Sequence, residues 1–199
     1  MKKSDLLKSI AEKGYDVGFG AKKHFATYDI VDKAPGLIGF SSLAFGIFSL
    51  VVKGLSTEFT SATFIVLGVI GLYINLYDRE KLLYDQSGIA LTKIYNELKS
   101  LYFRAKGLEE DADFSDFQKE LSDIEGRYYT SCISKQILFS NWYAHYKFFW
   151  EHQIGWVNEQ LNFNLFRDKV PLSLWFTFLI LIGGLLWSFS DIDSLICNI

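Results

Sequence analysis

Long uncharged runs alternate with polar stretches along this chain. Residues 34–52, APGLIGFSSLAFGIFSLVV, and 59–77, FTSATFIVLGVIGLYINLY, are each nineteen residues without a charged side chain. At about 1.5 Å rise per helical residue each spans roughly 28 Å, close to the ~30 Å hydrocarbon core of a bilayer. Apolar residues cover every face of both runs, whereas a helix on the surface of a globular domain carries one apolar stripe. A third run, 170–190, VPLSLWFTFLILIGGLLWSFS, has the same character. The pattern predicts three membrane spans, with KGLSTE, 53–58, as a tight turn on the far side.

The polar stretches predict further helices. Residues 1–33 begin with a short helix over 5–13, interrupted by Gly14, Gly18 and Gly20. Ala21, Phe25, Tyr28 and Val31 then recur at helical spacing, which predicts a short amphipathic helix lying against the membrane before Pro35 opens the first span. After the second span, 78–107 turns polar without a breaker, so that span is expected to run straight on into a helix. Leu91, Tyr95, Leu98, Tyr102 and Ala105 form an apolar seam like that of a coiled coil. SDFQ, 115–118, has the form of a capping box for a helix whose Phe117, Leu121, Ile124 and Tyr128 share a face, and the two seamed helices can pack together. Residues 131–166 are rich in aromatics, among them Phe139, Trp142, Tyr143, Tyr146, Phe148, Phe149, Trp150 and Trp156. Such rings suit either a helical core or the headgroup zone at the inner membrane surface.

Charge then orients the chain. Residues 1–33 hold seven Lys and residues 78–169 twelve Lys plus Arg, while the 53–58 turn has only Lys53 and the tail after 190 has none. Basic flanks resist translocation. The expected topology has the N-terminus and the 78–169 domain cytoplasmic, and the turn and the 191–199 tail outside. No signal-peptide pattern precedes the first span, which is expected to stay in the mature protein. Cys132 and Cys197 fall on opposite sides of the membrane and cannot pair. The fold class is an all-α membrane protein: a transmembrane hairpin (34–77), a third C-terminal span (170–190), and a cytoplasmic coiled-coil-like helical domain. A formal net charge of −3 gives no reason to expect direct nucleic-acid binding.

Candidate chemistry is sparse. GFGAKK lacks the GK[ST] ending and the preceding strand of a phosphate loop. His24, His145 and His152 lack the spacing and donors of a metal site, and the acidic run 109–113 suits a solvated loop. With no nucleophile or carboxylate frame, no catalytic, cofactor or metal residues are assigned and no enzyme is expected. Small residues within the spans say more. Gly36, Gly39, Ser42, Gly46 and Ser49 line one narrow face of the first span, and Ser61, Gly68, Gly71 and Asn75 make a comparable stripe on the second. In lipid, close backbone approach and a few polar contacts must supply helix association. The stripes fit a packed hairpin, or an assembly in which Ser42, Ser49, Ser61 and Asn75 line a water-filled path. Three helices cannot enclose such a path alone, so a pore demands an oligomer.

The lead-in GYDVGFGAKKHFATYDIVDKAPG, the hairpin strings GLIGFSSLAFGIFSL and VLGVIGLYINLYD, and KLLYDQSGIALTKIYNELKSLY together resemble the SLATT family over about residues 10–106. These are two-transmembrane effector domains of bacterial conflict systems. The resemblance implies an effector in the bacterial inner membrane that oligomerises to form a pore or disrupt the bilayer, causing abortive infection. It also implies an operon-encoded sensor as partner, a nucleotidyltransferase or a retron reverse transcriptase. The third span departs from a two-span plan. The alternative is a non-conducting anchor that recruits a cytoplasmic partner through its helical domain.

Overall fold

The computed structural model of this chain describes residues 2–55 and 57–196, with side chains through residue 187. The described residues are helical, without a strand, and divide into two compact units, one through Leu161 and one from Asn162.

The first unit is organised by α1 (Lys3–Val51), one helix of 49 residues. The interrupted lead-in expected from Gly14, Gly18 and Gly20 does not form, because packing outweighs propensity. A helical glycine costs about 1 kcal/mol relative to alanine. Yet a Cβ at Gly14 would overlap the Trp156 ring, and one at Gly18 would stand 2.8 Å from both Tyr95 and Phe148. These glycines admit rings that a side chain would exclude. The face expected to lie on the membrane packs on protein instead: Ala21 and Val31 are buried, and Phe25 fills the space over Gly88. Pro35 sits inside the helix rather than opening it, and has no N–H to offer the Val31 carbonyl.

Lys53 and Gly54 form a turn. Gly54 takes φ 83°, a left-handed conformation that glycine adopts without strain. Thr57 then caps α2 (Glu58–Asn75). The Thr60 N–H donates to Thr57 Oγ1 (3.2 Å), and the Thr57 N–H donates to Thr60 Oγ1 (2.9 Å). The two spans meet through stacked Phe45 and Phe64 rings, 4.4 Å between centroids. α1 and the helical stretch Glu58–Lys106 are each long and apolar enough to cross a membrane, and their apolar windows are only 0% and 6% buried. A soluble core helix would hide such a window, whereas a bilayer covers one without help from the chain.

Below the hairpin the second span continues into a further helix, though not as unbroken α-helix. The Tyr77 N–H donates to the Ile74 carbonyl and the Glu80 N–H to that of Tyr77, so a 3-10 turn (Asp78–Glu80) joins α2 to α3 (Lys81–Lys106). The seam residues Leu91, Tyr95, Leu98, Tyr102 and Ala105 are all buried. Their main partner is α1, and α4 (Ser115–Ser131) packs less extensively on α3. Leu121 and Ile124 of α4 are buried, Phe117 and Tyr128 half-buried. Its cap is not the expected one, because Asp113 Oδ1 accepts the Ser115 N–H at 2.9 Å. An aspartate two residues upstream reaches that donor, and Ser115 becomes the first helical residue.

The aromatic segment is partly buried in the bundle and partly exposed. α5 (Ser140–Phe149) buries Ala144, Phe148 and Phe149, and α6 (Gly155–Leu161) buries Trp156 and Val157. Leu138, Phe139, Tyr146 and Trp150 stay exposed. In the second unit, Asn164 caps a π-helical turn (Leu165–Lys169), and α7 (Leu172–Ile196) follows. This helix continues beyond the expected end of the run at 190, into the segment read as an external tail. Cys197 lies outside the described residues.

Candidate functional site at the base of the hairpin

The spans and the bundle are joined by a buried cluster of Val31 from α1, Ile74 and Tyr77 at the end of the second span, Tyr84 from α3, and Ile137 from the α4–α5 connection. The connection, residues 132–139, is not helical, and side chains from α1 and α3 hold it. The Tyr84 hydroxyl donates to the Lys135 carbonyl (2.9 Å), and the Thr27 hydroxyl donates to Gln136 Oε1 (2.5 Å). His24 Nε2 accepts the Ile133 N–H (3.0 Å) while Nδ1 lies 2.7 Å from the Gly20 carbonyl. That pairing requires the neutral Nδ1–H tautomer.

Ion pairs fix the same level. Lys81 Nζ lies 3.0 Å from Asp32 and 3.5 Å from Asp78, tying α1 to the 3-10 turn. Asp29 sits between Lys147 (2.6 Å) and Lys33 (2.5 Å). Burial pushes its carboxyl up, but the two ammonium groups outweigh that and hold its pKa below the ordinary value.

The histidines have structural settings. Burial lowers the pKa of His24, against the opposing Gly20 bond, and lowers that of His152 to about 4 with help from Lys22 and Lys99. His152 packs against Tyr95, ring centroids 4.8 Å apart, and His145 edge-on to Phe19, also at 4.8 Å. Among the described residues no three His, Cys, Asp or Glu side chains gather as a metal site. The acidic run serves locally, with Glu110 facing Lys3 (3.6 Å) and Asp113 capping α4.

These histidines predict a pH dependence. The fold holds both neutral while the unfolded chain protonates them below about pH 6.5, so the folded state binds fewer protons. Stability therefore falls as pH drops from about 6.5 towards 4. The thermal midpoint of the full chain in detergent should decline from pH 7 to pH 5, and His152→Phe, which keeps a ring against Tyr95, should flatten the decline. A midpoint unchanged over this range would contradict the assignment.

The small-residue stripes are split by the structure. Ser42, Ser49 and Gly71 lie on half-buried faces, whereas Gly36, Gly39, Gly46, Ser61, Gly68 and Asn75 are exposed. A Cβ at Gly36, Gly39, Gly46, Gly68 or Gly71 would meet nothing within 4 Å. The Ser42 and Ser49 hydroxyls donate to the Ile38 (2.8 Å) and Gly46 (2.7 Å) carbonyls of their own helix.

An exposed apolar hairpin agrees with a known two-transmembrane family. The family described as the SMODS and SLOG-associating 2TM effector domain 6 matches residues 1–178. The chain belongs to the SLATT family. No curated protein and no solved structure matches it. The SLATT match reaches well beyond the 10–106 stretch that carries the resemblance, so α4, α5 and α6 belong to the domain along with the hairpin. SLATT domains are effector domains of bacterial conflict systems, and this member is a membrane protein. The residues that join its hairpin to its bundle were not visible in sequence. Thr27, Gln136 and Ile137 follow no apolar period, and their pairing spans more than a hundred residues of chain.

Proposed function

We propose that this SLATT protein is a membrane effector of bacterial antiphage defence acting by abortive infection. Several copies assemble through the exposed glycine face of the hairpin. A partner or signal then rearranges the cytoplasmic bundle, and the assembly opens a leak that collapses the membrane potential. The observation that carries this reading is the continuity of α1, which passes from the buried bundle into the exposed span without a break. A movement of the bundle against α3 is thereby delivered directly to the membrane. The exposed glycines support self-association, since they allow the backbone of a second helix to approach closely.

Induced wild-type protein, with its operon neighbours triggered, should depolarise bacteria within minutes and before lysis, as read with a voltage-sensitive dye. Gly46→Leu should abolish the effect, because it places a large side chain on the proposed contact face without touching the chain's own packing. Cells that stay polarised with the cassette triggered would overturn the effector reading and favour an anchor that recruits a cytoplasmic partner.

A further inference from the structure

Two apolar clefts adjoin at Ile30 of α1. The first, about 330 Å³, is walled by Ile70, Tyr73 and Ile74 of α2 and by Ile137, Leu138 and Phe139 of the connection. The second, about 520 Å³, runs along Ala34, Leu37 and Phe40 of α1 to Tyr143, with Asp29 and Lys33 at its edge. Both volumes fall in the roughly 300–1,000 Å³ range of small-molecule sites.

Their depth decides what can enter. Leu37, Phe40 and Ile70 belong to the uncharged runs that a bilayer must cover, while Asp29, Lys33, Lys135 and Lys147 stand at the next level, where those runs end. A water-soluble ligand would find almost no polar partner in the first cleft, whereas a hydrocarbon chain needs none.

The charge at the rim points the same way. Asp29 pairs with both Lys147 and Lys33, and the Lys33 side chain is 69% exposed, open to an anionic group. Lys135 has no carboxylate partner among the described residues; it lies 4.7 Å over the Tyr77 ring, and the Tyr77 hydroxyl is 3.4 Å from that of Tyr73 on the cleft wall.

Phe139 has φ 67°, a left-handed conformation that a bulky L-residue adopts only with strain. The same short segment leaves Leu138 and Phe139 61% and 56% exposed. In water both the strain and the exposure are unfavourable. At a membrane surface the two side chains would be covered by lipid.

We infer that the joined clefts bind an anionic glycerophospholipid from the leaflet facing the helical bundle, with its acyl chains on either side of Ile30 and its phosphate near Lys33 and Lys135. The site does not require a pore, so it stands apart from the effector reading above.

The test uses the full chain in vesicles of phosphatidylglycerol and phosphatidylcholine in equal parts, doped with phosphatidylglycerol carrying a diazirine on one acyl chain. Photolabel should concentrate on residues 70–74 and 137–139, above the level found on the exposed faces of 35–51. Unlabelled phosphatidylglycerol should compete more strongly than phosphatidylcholine. Ile70→Trp, which fills the first cleft, should remove label from 137–139 while leaving it elsewhere. The exposed pair Lys33→Gln and Lys135→Gln, which leaves the core untouched, should reduce the preference for the anionic lipid by roughly fivefold per lysine. Label spread evenly over the spans would overturn the site. Equal competition by the two lipids, or lysine variants with unchanged preference, would overturn its anionic specificity.

Discussion

Gly18→Ala should destabilise the bundle by about 2 kcal/mol, while Gly126→Ala should stabilise it by about 0.5–1 kcal/mol, although both are the same change inside a helix. The opposite signs follow from what each added methyl meets. At Gly126 nothing lies within 4 Å, so only the gain in helix propensity remains. At Gly18 the methyl would stand 2.8 Å from the rings of Tyr95 and Phe148, both buried and neither free to retreat. Moving two core rings outweighs the gain in propensity. Thermal melting of the full chain in detergent, followed by circular dichroism, reads both variants. Equal shifts of the same sign would show that the Gly18 contact carries no weight.

Tyr95→Ala should cost more still, about 3–5 kcal/mol, as for other large aromatics deleted from cores. Its ring covers Gly18 and packs against Trp156 and His152, with centroids 5.4 and 4.8 Å away. Its hydroxyl accepts the Trp156 indole N–H at 3.0 Å and donates to the Gln153 carbonyl at 3.3 Å. Burial raises the pKa of the phenol to about 12, so it remains protonated in this role. Tyr95→Phe isolates the polar part. It keeps the ring but strands a buried N–H, at a cost of about 1–3 kcal/mol. In a double-mutant cycle, adding Trp156→Leu should recover part of that loss, because the stranded donor is gone. Strict additivity would sink the account of this hydrogen bond.

What was legible in sequence was whatever repeats along one helix. The uncharged runs, the α3 seam and the Leu121–Ile124 face follow from local period, and each appears on its expected element. Features that depend on a distant partner were misread or unseen. Gly14 and Gly18 read as breakers because propensity is a local quantity, and the rings of Tyr95, Phe148 and Trp156 that require them lie far along the chain. The cap of α4 was misassigned by two residues because Asp113 and Ser115 are both good capping side chains. Thr57 and Thr60 cap α2 without the Glu or Gln that marks a capping box in sequence. The buried joint at the hairpin base was not legible as a unit, since its members come from α1, the second span, α3 and the α4–α5 connection.

The unbroken course of α1 also gives the molecule a lever with a natural pivot. At Pro35 one backbone hydrogen bond is missing, and helices bend most readily at such points. Val51 stands roughly 24 Å farther along the axis. A tilt of about 10° there would sweep the outer end of the helix sideways by roughly 4 Å, close to the width of a small side chain. Motion too slight to disturb the packing around Val31 would thus arrive at the far end of α1 magnified.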